Sequence, residues 1–125
     1  MIDVENEKKF DDSTLNQSDL ESLVNINEVV HSPAKLAILL FLLSRNEATF
    51  SIISKGLKLT RGNLSTHLKK LDQAKLVLIE KKFMEARPTT IVSITDFGRK
   101  QVLDYAQNLS TILRTSLQEQ NKKEF

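Results

Sequence analysis

Residues 59–71 read Leu59-Thr60-Arg61-Gly62-Asn63-Leu64-Ser65-Thr66-His67-Leu68-Lys69-Lys70-Leu71, and this stretch decides the fold. Thr60 suits the N-cap position of a helix because its hydroxyl can accept a hydrogen bond from an amide two or three residues on. Leu64, Leu68 and Leu71 recur at the spacing that places side chains on one helical face. The pattern therefore predicts a helix over 61–74 with one buried stripe and a polar outer face.

The predicted outer face carries small polar side chains in its first turn and paired cations in its second. Its members are Gly62, Asn63, Ser65, Thr66, Lys69 and Lys70. A helix that enters the DNA major groove needs small donors and acceptors near its N-terminus for base edges, and cations further along for phosphates. Gly62 costs the helix about 0.5–1 kcal/mol relative to alanine, so close approach of another backbone is a motive for it. The alternative is a face kept polar for solubility, and the helix alone favours DNA only modestly.

The chain before this helix predicts three further helices. In the first, apolar residues recur at helical spacing and Ser18 suits the N-cap position, with a glutamate three residues on. Ser32 and Pro33 then supply an N-cap and a first helical residue for a second helix, which is apolar nearly all round and should be the most buried element. A very short strand or an extended helix entry at 49–51 leads into the third. The predicted helices span 16–30, 33–44 and 51–57.

The chain after residue 75 predicts a hairpin and a last helix. Two stretches with β-branched residues, 76–83 and 89–94, read as strands, and residues 84–88 form the tip between them. Thr95 then caps a helix over 96–118. The element order predicts a mainly α fold with a small β-hairpin, and it excludes both a βαβ alternation and a strand-rich sandwich.

Composition limits the protein to one domain of ordinary size. The chain has 125 residues, of which 40% are hydrophobic and 27% charged, the balance of a soluble globular protein. The longest apolar run, residues 36–43, is far shorter than the roughly 18 residues that span a bilayer. Because the N-terminus lacks the basic-then-apolar order of a secretion signal, we expect a cytoplasmic protein. Residues 1–15 are expected to be a disordered acidic leader and residues 119–125 a polar tail, on either side of one domain over 16–118.

The residue types also limit the chemistry. The chain has no cysteine, which excludes disulfides, cysteine-bound zinc and thiol chemistry. His31 and His67 lie far apart in the sequence, and neither has a metal-ligand partner at a characteristic spacing. We find no nucleophile–base pair, no paired carboxylates in an apolar setting and no glycine-rich phosphate loop. The sequence predicts neither a cofactor nor a metal, and no enzymatic activity.

A net charge of +2 conceals an asymmetry along the chain. Residues 1–30 carry eight acidic and two basic side chains, whereas residues 55–87 carry nine basic and three acidic ones. Three of these cations, Lys81, Lys82 and Arg87, lie at the predicted hairpin tip, where they suit contact with phosphates or the minor groove. Edge lysines also protect hairpins from aggregation, which is the alternative explanation. Since both cationic elements follow one helix–turn–helix, coincidence is the poorer explanation.

These segments resemble the compact winged-helix regulators related to the MarR and ArsR proteins. The resemblance rests on His31–Leu36, on Leu59–Leu71 and on Arg87–Arg99, and it covers about residues 24–113. It implies a winged helix–turn–helix with the helix–turn–helix at 51–74, a wing hairpin at 76–95, and extra terminal helices at 16–30 and 96–118 that pair two copies. It also implies that a homodimer binds double-stranded DNA near promoters. The implied DNA-binding residues are Thr60, Arg61, Gly62, Asn63, Ser65, Thr66, His67, Lys69, Lys70, Lys81, Lys82 and Arg87.

Two departures from the family pattern matter, and His67 needs separate weighing. Family members usually have glycine just after the recognition helix, where this chain has Lys75, so we expect either a positive φ at Lys75 or a rebuilt helix end. Residues 84–86 at the wing tip also lack the usual glycine, which predicts a stiffer tip. His67 flanks the apolar stripe, so a partly buried structural histidine is at least as plausible as a base contact.

The terminal helices predict a dimer interface. Apolar residues recur along the last helix at helical spacing, and a helix of this length extends past a domain this small, so its far half has no cover within its own chain. Pairing across a two-fold axis would bury this stripe and separate two recognition helices by about one DNA turn. A terminal helix that folds back on its own core is the alternative. The predicted interface comprises Leu20, Leu23, Val24, Val102, Tyr105, Ala106, Leu109, Ile112, Leu113 and Leu117.

The sequence leaves a second function open. A winged helix can also dock on another protein within a larger assembly, because one fold hosts many functions. The basic stretch over 55–87 argues against that interpretation and favours sequence-specific DNA binding. The operator, the direction of regulation and any small-molecule effector are not encoded in a readable pattern.

Overall fold

The computed structural model describes residues 16–24 and 28–123. The chain forms two units, one from Asn27 to Asp104 and one that combines residues up to Ile26 with those from Tyr105 onward. The elements are α1 (Gln17–Val24), α2 (Pro33–Arg45), β1 (Glu47–Thr49), α3 (Phe50–Leu57), α4 (Arg61–Gln73), β2 (Val77–Met84), β3 (Arg87–Ile94) and α5 (Asp96–Lys123). The predicted mainly helical fold with a small antiparallel sheet is confirmed.

Helix α2 begins at Pro33, as predicted, but its cap differs from the prediction. Ser32 has the extended backbone of an N-cap residue, yet its hydroxyl makes no capping hydrogen bond. The hydroxyl lies instead 3.4 Å from the ammonium of Lys35, which is buried. Ser32 is therefore the N-cap residue, as predicted, but the predicted hydrogen bond to its hydroxyl is absent. Only one side of α2 is fully buried, since Leu40 is 47% exposed.

Helices α3 and α4 form the helix–turn–helix, and each begins at a threonine cap. The Thr49 hydroxyl accepts a hydrogen bond from the Ile52 amide at 3.2 Å, and the Thr60 hydroxyl accepts one from the Asn63 amide at 3.1 Å. The predicted stripe on α4 is confirmed, because its three leucines are buried. Beyond the end of α4, Lys75 has φ of 64°, which confirms the first of the two predicted alternatives.

The sheet has three antiparallel strands in the order β1-β3-β2, one more than the predicted hairpin. The strand expected near residues 49–51 lies slightly earlier, because Phe50 already belongs to α3. The wing tip is also shorter than predicted: β2 continues to Met84, β3 resumes at Arg87, and only Glu85 and Ala86 lie between them. Both of these residues have positive φ, 53° and 62°, as a type I′ turn requires.

The core of the Asn27–Asp104 unit lies between the helices and the sheet. Helix α4 packs on β2, and α2 and α3 contact β3. The completely buried side chains are Val30, Ile38, Leu39, Leu42, Ile53, Leu64, Leu71, Leu76, Val92 and Val102. Thr95 ties the start of α5 to the end of the helix–turn–helix. Its hydroxyl lies 2.8 Å from the Lys75 carbonyl oxygen and accepts a hydrogen bond from the Gly98 amide at 2.9 Å, which confirms the predicted cap.

The second unit contains α1 and the part of α5 from Tyr105 onward. Helix α1 ends at Val24 rather than at residue 30, and residues 28–30 form a turn. Asn16 caps it instead of Ser18, because the Asn16 side-chain oxygen accepts a hydrogen bond from the Asp19 amide at 2.8 Å. Helix α5 continues past the predicted end at 118 to Lys123, which makes it about 42 Å long. The predicted leader over 1–15 lies outside the described residues. None of the helices within the described ranges combines the length and the apolar character that crossing a membrane requires.

Candidate nucleic-acid interface

The outward face of α4 presents small polar groups near its N-terminus. Gly62, Asn63, Ser65 and Thr66 are all exposed, and Lys69 and Lys70 are exposed one turn further on. The Thr66 hydroxyl donates a hydrogen bond to the Gly62 carbonyl oxygen at 3.0 Å. Its oxygen lone pairs and its methyl group are therefore the parts available to a ligand. A Cβ at Gly62 would meet no atom within 4 Å, so nothing in the described chain requires glycine at this position.

The two faces of the wing carry different charged side chains. Side chains alternate along a strand, so Lys81 and its partner Thr90 lie on the same face as the buried Val92. Lys82 and Arg87 belong to the opposite face, because their register partners are Thr89 and Met84. The Lys82 ammonium lies 3.5 Å from the Glu80 carboxylate, and both side chains are about half exposed. The three wing cations therefore do not form one cluster.

A groove between α4 and the wing joins the helix to the nearer face of the wing. We call it the lysine groove; its volume is about 360 Å³. It is lined by Phe50, Ser65, Leu68, Lys69, Asp72, Ile79, Lys81 and Thr90. Lys69 and Ser65 come from α4, and Lys81 comes from β2 on the wing side. The surface therefore offers two cations and two hydroxyls together, with Asp72 as the single acidic group lining the groove.

A second cleft of about 350 Å³ joins the N-terminal ends of α3 and α4 to the first half of β3, next to the wing turn. We call it the arginine cleft; it is lined by Thr49, Phe50, Ser51, Arg61, Arg87, Pro88, Thr89 and Thr90. The Arg61 guanidinium lies 5.0 Å from the centre of the Phe50 ring, within the range of a cation–π interaction. Since this cleft has two arginines and no acidic lining residue, it suits an anion such as a phosphate.

His67 occupies the flank of α4 and is only half exposed. Its Nδ1 atom is buried and has no hydrogen-bond partner among the described residues. Burial lowers the pKa of His67 below its usual 6.5, and the positive charges of Lys35 and Lys70 lower it further. The imidazole is therefore neutral near pH 7. A structural place for this histidine fits the burial, and its contact with DNA stays a prediction. The described residues contain no group of histidine and carboxylate side chains that could hold a metal ion.

Five of the predicted DNA-binding residues line the two clefts: Ser65, Lys69 and Lys81 the lysine groove, and Arg61 and Arg87 the arginine cleft. The two clefts connect through Phe50 and Thr90, which line both. Sequence reasoning missed these two residues. The register of a two-residue turn at Glu85-Ala86 would have placed Thr90 opposite Lys81, and the threonine cap at 49 would have placed Phe50 at the first position of α3.

The predicted dimer residues divide into covered and open groups. Val102, Tyr105 and Ile112 are buried within the single chain, so the expectation that the far half of the last helix has no cover in its own chain is wrong at Ile112. The side chains of Leu23 and Val24 lie outside the description, and Leu109 is half exposed. The open group comprises Leu20, Ala106, Leu113 and Leu117.

Comparisons with known proteins agree with this architecture. A family model described as a winged helix DNA-binding domain matches residues 34–113. An uncharacterized protein of Methanocaldococcus jannaschii is 33% identical over 78 residues, which cover 62% of this chain and 85% of that one. The structure of a transcriptional regulator homologue from Pyrococcus horikoshii is 35% identical, with a TM-score of 0.73 over 78% of this chain and 95% of that chain. The MepR–DNA complex of S. aureus is 22% identical, with a TM-score of 0.55 over 86% of this chain and 82% of that one, and thus shares the fold. The predicted winged-helix resemblance is confirmed.

Proposed function

The chain belongs to the winged helix DNA-binding domain family, and from this premise we propose that it is a sequence-specific double-stranded DNA-binding transcription regulator that acts as a homodimer. The observation that carries the proposal is the lysine groove, where Ser65 and Lys69 of α4 face Lys81 of the wing. A duplex is a polyanion whose base edges lie between two phosphate backbones, so it requires polar groups and cations side by side. The similarity to the Pyrococcus horikoshii protein, a transcriptional regulator homologue, supports the same class.

In the proposed complex, α4 lies in the major groove with its N-terminal turn toward the bases. Asn63 can read adenine through its carboxamide, and Thr66 can offer an acceptor and a methyl group. Lys69 and Lys81 then bind phosphates, and the wing follows the backbone or enters the minor groove. Gly62 lets the helix backbone approach the groove closely, since the space beside it is open in the protein alone.

The homodimer is supported by an apolar stripe on the distal part of α5. Ala106, Leu113 and Leu117 lie within about 40° of one another on a helical wheel, and the two leucines are 53% and 65% exposed. Exposed apolar stripes of this kind are typical of surfaces that pair with another helix. A two-fold dimer would present two copies of α4 to two half-sites about one DNA turn apart.

Selection from a random duplex library, followed by sequencing, tests the proposal. We expect the protein to enrich a two-fold symmetric sequence, and we expect Asn63→Ala or Thr66→Ala to change the enriched bases. Sedimentation at micromolar concentration should give a dimer, and Leu113→Glu should give a monomer that retains the helical content of the native chain.

Lys100→Ala is a matched control because this exposed cation lies on α5 and lines neither cleft. It should leave the enriched sequence unchanged. Failure of the native protein to retain any duplex, at low as well as moderate salt, would refute DNA binding and would favour a protein-docking module instead.

A further inference from the structure

An exposed phenylalanine lies at the wing tip. Phe83 is 79% exposed, more than any other large apolar side chain of the described residues. An aromatic ring that is exposed to water at this site adds nothing to the core, because an aromatic side chain stabilises the fold mainly when it is buried. The ring is therefore available to a partner.

The register places Phe83 on a particular side of the wing. Along β2, Val77, Ile79, Lys81 and Phe83 share one face, and Pro88 lies directly opposite Phe83 on β3. Lys81 lines the lysine groove, and Phe83 follows it on the same face, two residues nearer the turn. Met84 is 48% exposed and belongs to the other face.

The surroundings of Phe83 define the chemistry of its partner. Lys81 precedes Phe83 on the same face of the wing, and the arginine cleft reaches Pro88, the register partner of Phe83. A partner must therefore be anionic around an apolar centre. A DNA duplex has this arrangement, because phosphates flank a stack of apolar base faces.

We propose that Phe83 is an apolar wedge that enters the minor groove and packs into a base step there, which opens the step and bends the duplex toward the major groove. The proposal rests on the DNA-binding function proposed above. The support under the ring is stiff, because Pro88 fixes its own φ and the two-residue turn leaves the strands little freedom. Since pyrimidine–purine steps open most easily, Phe83 adds a preference for such a step at the site of the wing, without a hydrogen bond to any base.

The experiment uses the full chain and a duplex selected by the native protein. 2-Aminopurine is placed next to a TpA step where the wing is mapped by footprinting, because its fluorescence rises when a base loses its stacking partners. The native protein should raise the fluorescence. Phe83→Ala should remove the rise and weaken binding roughly tenfold, equivalent to about 1.4 kcal/mol. Phe83→Leu should retain part of both effects, and Met84→Ala, on the opposite face, should behave as the native protein does.

A second duplex separates the wedge from an ordinary contact. When ApA replaces the TpA step, the difference between native protein and Phe83→Ala should shrink to about twofold or less, because a stiff step resists opening. Equal binding by native protein and Phe83→Ala on the TpA duplex, or an unchanged fluorescence rise with the variant, would overturn the wedge while DNA binding stands. Loss of all duplex binding by the native protein would overturn both. Thermal unfolding of each variant should match that of the native chain, since these side chains lie in solvent.

Discussion

Replacement of Lys81 by alanine should affect DNA binding far more than replacement of its neighbour Lys82. Lys81 lines the lysine groove with Lys69, whereas Lys82 lies on the other face of the wing beside Glu80. Lys81→Ala and Lys82→Ala change the net charge equally, so each is the matched control for the other. A difference between them reports where the charge lies rather than how much charge remains.

The magnitude follows from counterion release. Each phosphate contact contributes about 0.9 to the slope of log affinity against log salt, so a dimer that loses Lys81 from both subunits should lose about 1.8 from its slope. From roughly 50 to 200 mM salt, the affinity of the native protein should therefore fall about 12-fold further than that of Lys81→Ala. We expect Lys82→Ala to change the slope by less than half this amount, because a surface ion pair already screens its charge.

Fluorescence anisotropy of a labelled duplex across a series of salt concentrations gives the slopes directly. The native protein and both variants should be compared on the same selected sequence and on a scrambled one, where the cation contribution persists. Equal slopes for the two variants, or a larger loss for Lys82→Ala, would refute the assignment of the groove-facing side of the wing to phosphate contact.

Further predictions concern stability and pH. Lys75→Gly should raise the free energy of unfolding by about 1 kcal/mol, because φ of 64° strains a residue with a Cβ. Lys75→Ala retains the Cβ and should not raise it. Chemical denaturation of the native protein and the two variants measures these differences. Gly98→Ala should lower stability by about 1–3 kcal/mol because its Cβ would collide with the Leu76 carbonyl oxygen, and a melting temperature equal to the native one would contradict this contact. Gly62→Ala, with open space around it, should instead raise stability by about 0.5–1 kcal/mol and still weaken DNA binding, measured by melting and by anisotropy on the same preparation. His67 has a lower pKa folded than unfolded, so its contribution to stability is present above about pH 6.5 and is lost as pH falls. His67→Gln should therefore flatten the decline in unfolding free energy as pH falls through this range, and identical declines would count against the buried imidazole.

The order of elements and the α4 stripe were predictable from the sequence because local signals there agree. Each of these signals fits one structural position: Thr60 an N-cap, the three leucines of α4 a buried helical face, and Pro33 the first residue of a helix. The structure has all of them at these positions. Asn16 and Ser18 are different, since both are good N-cap residues two positions apart, and local chemistry does not choose between them.

The geometry of the wing was less accessible, because it depends on a register. The predicted tip of five residues and the observed turn of two pair the strands in different registers, and they therefore place Lys81 and Lys82 differently. A shift of one residue in the register moves every side chain to the opposite face. Neither Glu85 nor Ala86 is a residue that favours positive φ, so the sequence offers no sign of the type I′ turn. Lys35 shows a similar limit: a lysine in an apolar helix is expected in solvent, and here the residue is buried.

Phe50 forms a wall of the lysine groove and of the arginine cleft, and its ring supports Arg61. A substitution at this one position would reshape both clefts and displace a cation without changing any side chain proposed to touch a base. Related proteins can therefore change their DNA target through a residue that supports the binding surface without touching a base. A comparison of their α4 sequences alone would predict the same operator for all of them.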